Sequence, residues 1–110
     1  MKTTHAITTA LALCALLAPT LSQAQNATAQ NALYTRSLAA TCANCHGTDG
    51  KAIQGGSVAS LAGMDKTYFV AQLNAFKSGA RPATVMHQIS KGYSDAQIAT
   101  LASYFAAQKK

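Results

Sequence analysis

The sequence predicts an all-α domain of three to four helices. Three observations carry that prediction. Beyond residue 31, apolar residues recur at helical spacing, and no stretch shows the strict alternation of a strand. Helix caps and stops stand where those stretches begin and end: Asp65, Gly79, Pro82, Gly92 and Ser94. The run Cys42-Ala43-Asn44-Cys45-His46 closes the first stretch, and its spacing makes chemical sense on a helix.

Two thiols three residues apart, followed at once by an imidazole, read as a covalent c-type haem attachment site. One helical turn brings Cys42 and Cys45 to the same side, where each adds to one vinyl group of the porphyrin. His46 then lies beneath the iron and supplies the proximal ligand through a ring nitrogen. Other uses of the pair are weaker. A bridge between cysteines three apart on a helix has poor geometry for a structural disulfide. A thioredoxin-like dithiol needs a βαβ context. A zinc site needs a fourth, well-spaced ligand.

The chain has 110 residues, enough for one small domain. Alanine supplies much of its 49% hydrophobic content, and there is no Trp. A core of such small side chains is thin, so a buried porphyrin would supply apolar bulk and the apo-chain should fold poorly. Formal net charge is +6, with Asp49, Asp65 and Asp95 as the acidic residues. The basic residues are scattered, and no aromatic-interleaved basic run marks a nucleic-acid binder. Such charge reads either as a solvated basic surface or as a docking face for an acidic redox partner.

Residues 1–24 read as an export signal. Ala6 to Leu17 is an apolar core too short to span a bilayer, Pro19 breaks it, and Ser22-Gln23-Ala24 offers small residues to a signal peptidase. Cleavage after Ala24 would discard Cys14 and His5 and leave no membrane span. Residues 25–30 form a polar leader, and the domain occupies 31–110. Its first helix begins at Asn31 and carries Leu33, Leu38 and Cys42, with Tyr34 and Ala39, as its apolar stripe.

Gly47 to Gly63 reads as a loop passing close to the haem edge. A carbonyl in this loop would accept the second ring N–H of His46. Asp65 caps a helix from Lys66 to Ser78, and Gly79 terminates it. Tyr68, Phe69, Gln72, Leu73 and Phe76 mark its core face. A short segment follows from Ala83 to Lys91, stopped by Gly92. Ser94 and Gln97 form a capping box for the terminal helix, whose apolar side is Ile98, Leu101, Ala102 and Phe105.

The second axial ligand should be a methionine. Met64 lies 18 residues after His46, which leaves little chain to cross to the other haem face. Met86 lies 40 residues after His46, past a complete helix, and is the better candidate. His87 beside it is the competing ligand, and otherwise a surface or supporting histidine.

The run from Cys42 to Gly50 resembles class I cytochrome c. Phe76-Lys-Ser-Gly79, Thr84-Val-Met86 and Ile89-Ser-Lys-Gly-Tyr-Ser94 resemble the one-haem cytochrome subunit of flavocytochrome c sulfide dehydrogenase. The similarity spans residues 33 to 107. It implies a class I cytochrome c fold with the first and last helices crossing and one covalent haem c in a crevice. It also matches Met86 to the axial methionine and implies an FAD-containing sulfide dehydrogenase subunit as partner. His87-Gln88 depart from the Gly-Arg that the resemblance leads one to expect.

The expected function is single-electron transfer in the periplasm, without catalysis by this chain alone. An iron closed by His46 and Met86 has no vacant position for substrate. The alternatives are a free carrier serving an oxidase or another dehydrogenase, and a haem enzyme or sensor with an open iron.

Overall fold

The computed structural model describes residues 26–110. The expected signal, its cleavage after Ala24 and Cys14 lie outside the described residues. Two units are distinguished, one ending at Leu33 and a compact one over Tyr34–Lys110. In the first, residues 26–33 are helical and exposed. Helix was expected only from Asn31, but Ala27 and Ala29 favour it earlier.

The second unit holds helix α1 (residues 34–46), α2 (Lys66–Ser78), α3 (Met86–Ile89) and α4 (Asp95–Ala106). Tight 3₁₀ turns occupy Thr48–Gly50 and Ser90–Gly92, and there is no strand among the described residues. Ala39, Leu61, Phe69, Leu73, Ile98, Leu101, Ala102 and Phe105 form the core. Phe69 of α2 meets Phe105 of α4 with ring centroids 5.7 Å apart. Small residues on α1 and α4, Ala39 and Ala102, enter the same cluster.

The caps follow from local chemistry. The Asp65 carboxylate accepts from the Tyr68 amide at 2.9 Å, satisfying one of the amides left free at the start of α2. Gly79 ends α2 in the left-handed region at φ 82°. Beyond it, the Arg81 guanidinium lies over the Phe76 ring, 4.6 Å from its centroid. At α4, the Ser94 hydroxyl accepts from the Gln97 amide, and the Gln97 side chain accepts from the Ser94 amide. The same Gln97 side chain donates through Nε2 to the Tyr34 hydroxyl at 3.2 Å, which joins α4 to α1.

Three expectations need correction. Leu33 is 66% exposed and Tyr34, on α1, 51%, so neither ring nor branched side chain is buried as the periodicity suggests. Tyr34 engages through its hydroxyl instead of its ring. Tyr68 is likewise exposed, and Phe69 and Leu73 alone are fully buried on α2. The short segment becomes helical at Met86, not Ala83, because Pro82 and the β-branched pair Thr84-Val85 resist helical backbone there.

Candidate functional site

Cys42, Cys45 and His46 occupy the last turn of α1. No disulfide joins the two cysteines. Cys42 packs against the core, and burial pushes its thiol above the ordinary value, with the Thr41 hydroxyl acting in the opposite sense. Cys45 is exposed. Thr41 itself is fixed: its hydroxyl donates to the Leu38 carbonyl at 2.7 Å and lies 2.6 Å from the Tyr93 hydroxyl.

Gly47 stops α1 at φ 78°, where a Cβ would stand 2.1 Å from the Lys51 carbonyl oxygen. The chain then turns through Thr48–Gly50 and runs as a loop to Met64. This loop contributes the element that sequence reasoning expected without locating. His46 Nδ1 donates to the Ala59 carbonyl at 2.7 Å. That bond places the ring proton on Nδ1 and leaves Nε2 with its lone pair available to a metal.

Met86 opens α3 and is partly buried against the core that also carries Cys42. Its chain neighbours Val85 and Ile89 are 52% and 43% exposed, which leaves apolar surface around it for a porphyrin to cover. Met64 also touches the core, but its open side lines a groove of about 750 Å³ with Lys51, Ile53, Val58, Asp65 and Lys110. Neither cysteine, His46 nor Met86 lines that groove. His87, expected at the surface or in support, is half-buried. Its buried Nδ1 has no partner within the described residues.

The two thiols on one helical turn, the imidazole with its far nitrogen held, and the apolar surface beside Met86 fit a covalently attached haem. The Cytochrome c family profile matches residues 31–109. The chain belongs to the cytochrome c family. As a cytochrome c it carries covalent haem c, with Cys42 and Cys45 in the CxxCH pattern, and it is an electron-transfer protein.

Relatives of this cytochrome c include a sulfide dehydrogenase subunit and a thiosulfate dehydrogenase electron acceptor. It is 40% identical over 68 residues to the cytochrome subunit of sulfide dehydrogenase of Chlorobaculum tepidum, covering 62% of this chain and 60% of that protein. It is 38% identical over 71 residues to the thiosulfate dehydrogenase electron acceptor of Thiomonas intermedia, covering 64% of this chain and 33% of that protein. Cytochrome c-554(548) of Halomonas halodenitrificans is 35% identical over 72 residues, covering 63% of this chain and 86% of that protein. The match therefore spans less than two thirds of the first two relatives' own length.

Sequence reasoning missed how the specific blocks come together. Lys77, from Phe76-Lys-Ser-Gly79, donates to the carbonyl of Tyr93, from Lys91-Gly-Tyr-Ser94, at 2.8 Å. The Tyr93 hydroxyl then reaches Thr41, next to the first haem cysteine. No helix among the described residues is long and apolar enough to cross a membrane.

Proposed function

We propose that this cytochrome c takes single electrons from a dehydrogenase that oxidises reduced sulfur, through an iron held between His46 and Met86. The partner that fits best is an FAD-containing sulfide dehydrogenase subunit. The observation that carries this reading is the similarity to the sulfide dehydrogenase cytochrome subunit and to thiosulfate dehydrogenase electron acceptors. The haem supplies a ferric–ferrous couple when bound. Cys42 and Cys45 would anchor it, Ala59 holds the His46 ring through Nδ1, and Met86 would present a soft neutral sulfur that favours the ferrous state. Were His46 and Met86 both to hold the iron, no position would remain for substrate, and the chemistry supplied would be outer-sphere electron transfer. An export signal over residues 1–24, as the sequence suggests, would deliver the mature chain to the periplasm.

Co-purification from the native cell tests the partner. Recovery with an FAD protein that reduces the haem on addition of sulfide supports the proposal. A flavin-free monomer that exchanges electrons with an oxidase supports the free-carrier reading instead.

A further inference from the structure

The carbonyl that holds His46 belongs to a loop with little to fix it on one side. Upstream of Ala59, Ile53 is 87% exposed and Gly55 has open space around it. The loop closes on itself there through the Gly56 amide and the Ile53 carbonyl, at 3.1 Å. Downstream the situation reverses. The Gly50 carbonyl accepts from the Ser60 hydroxyl at 2.9 Å, the Leu61 amide at 2.8 Å and the Ala62 amide at 3.1 Å. Gly50 is itself buried at φ 77°, and a Cβ on it would stand 2.8 Å from both Leu61 and Phe105. The oxygen is thus a fixed point tied to the core, and Ala59 is anchored from the Ser60 side.

From this we infer that Ser60 is a positioning residue for the proximal ligand. Its hydroxyl fixes the residue next to Ala59, aims the Ala59 carbonyl at His46 Nδ1, and so tunes the electron density that His46 gives the iron. The inference rests on His46 as the proximal ligand. The physical link is direct. A hydrogen bond accepted from the far ring nitrogen raises the basicity of a ligating imidazole. A more basic imidazole favours ferric iron, so a loosened Ala59 carbonyl raises the reduction potential.

The Ser60→Ala and Ser60→Thr variants of the haem-loaded protein test it. Proton NMR gives the solvent exchange rate of the His46 Nδ1–H, and a redox titration gives the potential. Ser60→Ala should speed exchange by about fivefold, the factor that follows from losing one modest hydrogen bond, and should raise the potential. Ser60→Thr keeps a hydroxyl and should restore both. Wild-type exchange and potential in Ser60→Ala overturn the inference, even where its melting temperature falls. So does a Ser60→Thr variant that behaves like Ser60→Ala. A wild type whose His46 Nδ1–H lacks the paramagnetic shift of an iron ligand overturns the ligand assignment as well. A wild type with that shift and an inert Ser60→Ala overturns the positioning role alone.

Discussion

The Lys77 ammonium donates to the Tyr93 carbonyl across 16 residues, and the same nitrogen lies 3.0 Å from the Asp95 carboxylate. One cation thereby joins the end of α2 to the turn before α4. Tyr93 carries the connection on to Thr41 in α1 through its hydroxyl. The three long helices meet around this residue, beside the haem attachment turn.

The two partners of Lys77 differ in worth. Asp95 is 89% exposed, and an ion pair with so much solvent around it contributes little. The carbonyl bond is charge-assisted and partly sheltered. Lys77→Ala is therefore expected to lower stability by about 1–2 kcal/mol, and Asp95→Asn by no more than about 0.5 kcal/mol. Urea midpoints of the haem-loaded proteins check this, with unchanged slope for both.

Gly50 offers a sharper case. A methyl group there meets Leu61 and Phe105 at 2.8 Å while the backbone stays in the left-handed region. Overpacking and backbone strain act together, so Gly50→Ala should cost more than about 2 kcal/mol. Thermal unfolding followed by circular dichroism reads the loss directly. Gly79→Ala, with the same sign of φ but open space around it, should cost less.

Asp49 and Tyr104 make a prediction about pH. The Tyr104 hydroxyl donates to the Asp49 carboxylate at 2.5 Å. That bond, with smaller effects from burial and the carboxylate charge, holds the phenol above the ordinary tyrosine value. A raised phenol pKa means the folded state keeps its proton longer than the unfolded chain. The resulting stabilisation is full below the ordinary value and is lost as pH rises through the raised one. The difference in phenolate absorbance between wild type and Tyr104→Phe should titrate late. Asp49→Asn should bring its midpoint back toward ordinary tyrosine.

Much of the architecture was legible because its signals are local. Asp65, Gly79 and the Ser94–Gln97 box each act within a few residues, and α2 and α4 lie where those caps place them. The core faces of α4 followed from spacing for the same reason. Leu33, Tyr34 and Tyr68 were misread because periodicity ranks residues by type and not by what covers them. At the site, the motif and the candidate methionine could be read from spacing. The Ala59 carbonyl could not, since every residue of the loop offers the same group and only the folded path selects one. The Thr41–Tyr93 and Lys77–Tyr93 bonds join residues far apart in sequence, and no local pattern encodes them.

On the proposed function, Met86 would be the second residue to hold the haem iron, with His46. The ferric thioether-to-iron absorption band tests it most directly, recorded for wild type, Met86→Ala and Met64→Ala. The account predicts the band in wild type and in Met64→Ala and its loss in Met86→Ala. A band that survives in Met86→Ala, or that disappears in Met64→Ala, would contradict it.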